Sequence, residues 1–166
     1  MRITRFAATC LCAAIIAATV GSLSGAAAHT HDTPGAGAAG GHAQAVGKPG
    51  NPKKVARTIE VVMTDDMIFT PARIDVTRGE TIRLVVKNAG KMKHELVLGS
   101  TAELKEHAEM MRKMPGMEHA DPNQVTVAPG KTGHLVWQFT RSGRVDFACL
   151  QPGHLEAGMK GEVLVK

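Results

Sequence analysis

Aromatic side chains are scarce in this sequence of 166 residues, which contains four phenylalanines, one tryptophan and no tyrosine. The charge is also modest: the formal net charge is +5, and the lysines and arginines are spread along the chain instead of forming a run. Proteins that bind nucleic acid combine a basic patch with a recognisable motif, and those that bind single strands add aromatic stacking surfaces. The sequence has none of these features, so we expect no nucleic-acid partner.

Long apolar segments are lacking too. The longest covers residues 6–20 and is short for a membrane span. Arg2 and Arg5 precede it and small residues up to Ala28 follow it, which is the pattern of a cleavable secretory signal peptide. We therefore predict a signal peptide over residues 1–28, export to the periplasm, and no stable membrane insertion after cleavage.

Cysteine is rare, with three in the whole chain. Cys10 and Cys12 lie inside the predicted signal peptide, so cleavage leaves Cys149 alone. A lone cysteine in an exported protein has no internal disulfide partner, and it is then either a reactive thiol or a metal ligand.

Large apolar residues are almost absent from residues 29–54, which are rich in glycine, alanine, proline and histidine. Such a composition buries too little surface to offset the entropy of ordering, so we predict a flexible tail. If the mature chain begins at His29, its amine, two backbone amides and the imidazole of His31 form a candidate square-planar site for copper(II) or nickel(II). The alternative is that these histidines belong to a solvated tail that holds no metal.

The chain does contain a regular set of soft ligands near its C-terminus, Cys149-x4-His154-x4-Met159. A Pro-Gly pair and a further glycine between them supply turns that could direct all three side chains to one point. A thiolate and two imidazoles in a trigonal arrangement, with a weak thioether, form a ligand set that selects copper. The candidate for the second imidazole is His94, which begins an apolar run typical of a buried strand.

These residues also have purely structural interpretations. Cys149 could be an inert buried thiol and Met159 ordinary core packing, although their spacing around His154 favours a metal site. The competing histidine is His134, which alternates with core residues along a predicted strand and is therefore assigned to the solvent side.

Beyond residue 54, short apolar or alternating runs are separated by turn signals, which is the pattern of a β-sandwich. We expect one all-β domain over residues 55–166. Besides the run after His94, the predicted strands cover residues 55–63, 73–76, 80–88, 124–127, 132–140, 143–149 and 161–166.

Residues 55–166 resemble the cupredoxins, the type 1 copper proteins of the plastocyanin and azurin kind. The resemblance rests on the Cys149-x4-His154-x4-Met159 loop and on residues 67–82, which look like the opening of many cupredoxins. It implies a Greek-key β-sandwich and one redox-active copper ion held by His94, Cys149, His154 and Met159. Many cupredoxins have asparagine after the first histidine, whereas this chain has Glu95.

Residues 100–122 are an insertion that a simple electron carrier does not need. Ser100 and Glu103 form a capping box, and residues 101–114 are rich in helix formers, so we predict a helix there. Methionines and a histidine share one face of this helix, and two more such residues follow it. They form a candidate second copper site, for which the alternative is core packing of the thioethers: His107, Met110, Met111, Met114, Met117 and His119.

Two functions fit these features. The first is periplasmic copper tolerance or homeostasis, in which the cupredoxins that this chain resembles bind copper and the Met/His segment captures more of it. The second is a diffusible electron carrier that serves a periplasmic redox protein. A multicopper enzyme needs a His-Cys-His pattern, but Cys149 lies between Ala148 and Leu150, so we expect no enzymatic activity.

Overall fold

The computed structural model describes residues 47–114 and 120–166. The predicted signal peptide over residues 1–28, the candidate site at His29 and His31, and Met117 and His119 lie outside the described residues.

Ten strands and one α-helix make up the described part of the chain. The strands are β1 Lys48–Pro49, β2 Arg57–Thr64, β3 Ile68–Thr70, β4 Arg73–Val76, β5 Thr81–Asn88, β6 His94–Gly99, β7 Gln124–Val127, β8 Thr132–Gln138, β9 Gly143–Ala148 and β10 Lys160–Val165, and the helix is α1 Thr101–Lys113. One sheet has the strand order β1-β8-β5-β2-β3 and the other has the order β4-β10-β9-β6-β7. The pairs β2/β5 and β4/β10 are parallel, and the other pairs are antiparallel. The predicted Greek-key β-sandwich with one inserted helix is confirmed.

The core lies between the two sheets, where alternate side chains of each strand point inward. Trp137, Phe139 and Phe147 are fully buried there, and Phe69 meets Phe147 edge to face with ring centroids 5.1 Å apart. The aromatic residues of the described part of the chain are therefore concentrated in the core. Among the described residues, no helix has the length and apolar character needed to cross a membrane.

The predicted flexible tail over residues 29–54 differs from the structure at its C-terminal end. Lys48 and Pro49 pair with Gln138 and Trp137 as an edge strand, and a short 3-10 turn follows at Pro52–Lys54. These contacts are made by the backbone, with Gly50 N–H donating to the Val136 carbonyl at 2.9 Å. Backbone pairing requires no large apolar side chain, which explains why composition alone did not reveal it. The short strand β3 was missed for a related reason, since three residues are too few to establish an alternating pattern.

Helix α1 begins at the predicted capping box. The Ser100 hydroxyl accepts from the Glu103 N–H, and the Glu103 carboxylate accepts from the Ser100 N–H. The helix covers the outer face of β6 and β9 through an apolar cluster of buried residues. The cluster consists of Val97, Leu104, Ala108, Ala148 and Leu150, with the half-buried Leu155 packed against it.

The predicted Met/His face of the helix is divided in the structure. Met111 is 6 % exposed, whereas Met110 and Met114 are 36 % and 40 % exposed and His107 is half-buried. Met111 lies seven residues after Leu104 and so faces the domain, while the other two methionines lie on the adjoining, more exposed side. Met111 is thus buried, while the described residues with which it was grouped are more exposed.

Candidate metal centre

Three strand ends meet at one end of the sandwich. Strand β9 ends at Ala148 and β10 begins at Lys160, and these two residues are paired across the hairpin. Strand β6 runs antiparallel to β9 on its other side, so its first residues lie beside the residues that follow Ala148. This register brings His94, Cys149 and Met159 together, although they are distant in sequence.

The loop between β9 and β10 returns His154 to the same point. Its tight turns require backbone conformations that favour glycine, with φ of 87° at Gly153 and 97° at Gly158. The His154 N–H donates to the Gln151 carbonyl at 2.9 Å, and the Met159 N–H donates to the His154 carbonyl at 3.0 Å. The ligand loop is therefore a series of hydrogen-bonded turns that brings His154 back to the strand ends.

The three donor atoms of His94, Cys149 and His154 lie close together. The two Nδ1 atoms of the histidines are 3.2 Å apart, and Cys149 Sγ lies 3.2 Å from His154 Nδ1 and 3.9 Å from His94 Nδ1. A trigonal metal ion with bonds of about 2.0 Å to nitrogen and 2.3 Å to sulfur would hold such atoms about 3.5–3.7 Å apart. The observed distances bracket that range, and one thiol with two imidazoles suits copper. The residues present therefore fit a copper ion.

Met159, the predicted fourth ligand, lies next to Cys149 in the fold. Its side chain is fully buried in the same core cluster as Cys149. The Cys149 N–H donates to the Met159 carbonyl at 3.1 Å, which fixes the two residues side by side.

His94 is held by a carboxylate that sequence reasoning did not single out. Its Nε2 lies 3.0 Å from Asp65 Oδ1, and the imidazole is fully buried. A proton on Nε2 donated to Asp65 leaves the Nδ1 lone pair free for a metal, as in the carboxylate–histidine pairs of other metal sites. Backbone N–H donation from Lys91, followed by the hydrogen bond with His94, lowers the pKa of Asp65 below its usual value.

Cys149 lies in an apolar environment. Burial raises the pKa of its thiol to about 12, so the thiol is protonated at neutral pH until a metal displaces the proton. The Glu95 N–H points at Cys149 Sγ from 3.4 Å and suits a thiolate acceptor. The sulfur is therefore shielded from solvent, and the Glu95 N–H can stabilise its thiolate form when a metal binds.

His154 is the most exposed member of the trio. It is half-buried, whereas His94 and Cys149 are fully buried. Burial, followed by the nearby His94, lowers the pKa of His154, which favours the neutral imidazole that a metal requires. His154 is thus the ligand side chain that solvent or a partner can reach.

Glu95, the departure from the usual cupredoxin asparagine, contacts the ligand loop directly. Its carboxylate accepts from the Leu150 N–H at 3.0 Å and from the Gln151 side chain at 3.1 Å. Thr126 Oγ1 on β7 adds a third contact at 3.3 Å. The Glu95 side chain thereby links the ligand loop to β6 and β7 by hydrogen bonds.

The structure distinguishes between the two histidines that competed for the second imidazole. His94 lies in the trio, while His134 is exposed on β8 and pairs with Val85. Within residues 47–114 and 120–166, His94, Cys149 and His154 are the one group of three histidine, cysteine or acidic side chains arranged to hold a metal. His107, Met110 and Met111 lie on α1 and Met114 directly follows it, so these residues belong to a different element from the trio.

Comparison with known proteins places this geometry in a family. Residues 56–166 match the copper binding proteins of the plastocyanin/azurin family. The chain is 51 % identical to the copper-resistant cuproprotein CopI of Rubrivivax gelatinosus, over 99 % of this chain and 98 % of the relative. It is 40 % identical to the copper-resistant cuproprotein CopI of Pseudomonas aeruginosa, over 75 % of this chain and 84 % of the relative.

A solved structure supports the fold. Reduced auracyanin from the photosynthetic bacterium Roseiflexus castenholzii superimposes with a TM-score of 0.58 at 21 % identity, covering 68 % of this chain and 98 % of auracyanin. The sandwich, the ligand trio and the sequence matches agree, and the chain belongs to the plastocyanin/azurin family of copper-binding proteins.

Proposed function

We propose that this chain is a type 1 copper protein that is exported to the periplasm and protects the cell against excess copper. Its relatives from R. gelatinosus and P. aeruginosa are named as copper-resistant cuproproteins, and the first matches along nearly the whole chain. The sequence pattern of a signal peptide over residues 1–28 supports export. On this proposal the protein binds copper and is not an enzyme.

The observation that carries the proposal is the trio formed by the buried His94 and Cys149 and the half-buried His154, with the buried Met159 beside it. His94 is fixed by Asp65, and Cys149 is held between strand ends, so the chain spends little further ordering entropy when a metal binds. Copper bound there supplies a one-electron couple between Cu(II) and Cu(I). His154 completes the ligand set from the solvent side.

A second candidate function, the diffusible electron carrier, is favoured by the half-exposed position of His154. A ligand at the surface offers a short path for an electron to a periplasmic redox partner. Copper resistance is preferred because the matched relatives carry that name.

The test uses Cys149→Ser, with the exposed His134→Gln as the matched control. We expect the purified wild type and the control to bind one Cu(II) at this site with an intense visible thiolate band, and Cys149→Ser to lose that band. In a host that lacks its own copy, the control should restore growth on high copper and Cys149→Ser should not.

Two outcomes would contradict the proposal. A visible band that survives Cys149→Ser would mean that the copper site lies elsewhere. Full growth with Cys149→Ser on high copper, together with loss of respiratory growth at low copper, would move the function to electron transfer.

A further inference from the structure

Glu95 is a buried acid directly beside the ligand loop. It is 4 % exposed, and few acidic side chains are buried to this extent unless they are paired. Its three side-chain contacts all come from groups that can donate: Leu150 N–H, Gln151 Nε2 and Thr126 Oγ1. A carboxylate that accepts three hydrogen bonds matches the ionised form. These donors stabilise the negative charge without neutralising it.

The Glu95 carboxylate lies beside the residues that follow the cysteine ligand. Leu150 and Gln151 directly follow Cys149, and the Glu95 N–H itself contacts Cys149 Sγ at 3.4 Å. The backbone of Glu95 therefore contacts the sulfur, and its carboxylate contacts the residue that follows the cysteine.

We propose that Glu95 is a positioning residue that stabilises Cu(II) over Cu(I) at this centre by its buried negative charge, while its hydrogen bonds hold the ligand loop. Cu(II) carries one more positive charge than Cu(I), so a fixed anion nearby favours the oxidised ion. Charges interact more strongly at a buried position than in water. The inference rests on the proposed copper binding at this site. It states which oxidation state of the bound ion Glu95 favours.

The decisive variant is Glu95→Gln, which keeps the size and one carbonyl acceptor but removes the charge. The Thr126 hydroxyl and the Gln151 amide can both turn to accept from the new amide. We expect the thiolate band to remain. We expect the Cu(II)/Cu(I) equilibrium to shift towards Cu(I) by about tenfold or more, which is a rise of about 59 mV or more in the reduction potential of a one-electron couple. Glu95→Asn, which introduces the common cupredoxin residue, should shift the equilibrium in the same direction.

The matched control is Glu156→Gln in the same loop. Glu156 is 47 % exposed and its ion pair with Arg112 spans 3.5 Å at the surface, so solvent screens its charge. The Cu(II)/Cu(I) equilibrium of Glu156→Gln should stay within about twofold of that of the wild type, which corresponds to a change of about 18 mV in reduction potential.

A second variant keeps the inference testable if the neutral substitutions of Glu95 do not fold. Gln151→Met removes one donor from a carboxylate that stays charged, so the equilibrium should shift towards Cu(II). A folded Glu95→Gln protein with its visible band and an unchanged potential would overturn the inference, as would a Gln151→Met protein with an unchanged or raised potential. A wild type without a thiolate band would instead refute the proposed copper site.

Discussion

At the scale of single residues, the chemistry of the centre depends on side chains that are not ligands. Asp65 is 29 positions before His94, yet its carboxylate fixes the imidazole and also accepts from the Lys91 N–H at 2.7 Å and the Met92 N–H at 3.3 Å. The same carboxylate therefore orders both the ligand and the segment that leads into β6. A ligand histidine that is oriented in this way loses little rotamer freedom on binding.

Removal of the Asp65 carboxylate should weaken copper binding. We expect Asp65→Ala to lower the Cu(II) affinity about 10–100-fold, because loss of a hydrogen-bond partner of a ligand histidine has effects of that size. The neighbouring exposed Asp66→Ala is the matched control and should bind like the wild type. Competition titration with a chelator measures both. Equal affinities for the two variants would show that Asp65 does not support His94.

At the scale of elements, the inserted helix packs against the ligand loop and supports it. Leu104 and Ala108 pack against Ala148 and Leu150, the two residues that flank Cys149. Arg112 near the end of the helix also reaches Glu156 in the loop. The insertion therefore has a structural role at the centre, whether or not it also binds copper.

The candidate second site on this helix stays a prediction, and the division of its methionines now gives it a sharper test. If the exposed side binds Cu(I), the double variant Met110→Leu/Met114→Leu should bind less Cu(I) per chain and keep the visible band. Met111→Leu is the internal control, because Met111 is buried and should not contribute. Leucine replaces methionine at a cost below about 1.5 kcal/mol, so packing is preserved. Cu(I) stoichiometry that is unchanged in the double variant would show that these two thioethers are not ligands.

At the scale of the whole molecule, charged side chains form ion pairs at the surface, and the Arg57 guanidinium also donates to the Asp75 carbonyl on β4 of the other sheet. Arg57 on β2 donates to Glu80 at 2.6 Å, and Lys166 donates to Asp75 on β4 at 2.9 Å. The hydrogen bond from Arg57 lowers the pKa of Glu80, and that from Lys166 lowers the pKa of Asp75. Both pairs lie at the surface, where solvent reduces their contribution.

These shifts predict how the stability of the copper-free protein depends on pH. A carboxyl with a folded pKa below its unfolded value of about 4.5 stabilises the fold above that pH, and the contribution is lost as the pH falls through the folded pKa. Denaturant unfolding between pH 6 and pH 3 should therefore show falling stability, with a shallower fall in Glu80→Gln. Identical slopes for the two proteins would mean that the Arg57–Glu80 pair carries no such linkage.

The sequence by itself determined the features that depend on neighbours along the chain. The spacing of Cys149, His154 and Met159 is set within one loop, and the capping box of α1 within four residues. Strands in which apolar and polar residues alternate are also local features, and β4 and β7, for example, were predicted with their observed bounds. Local hydrogen bonds and side-chain period are properties of short segments, so they can be read from the order of residues.

Only the tertiary structure decided the features that depend on strand register. Asp65 and Glu95 act on residues 29 and 55 positions away, and nothing in their own segments indicates those partners. The edge strand β1 pairs through its backbone. Met111 is buried and Met110 is exposed because of the face that α1 turns towards the domain. These contacts form when separate elements pack, and packing depends on the whole set of side chains in the core.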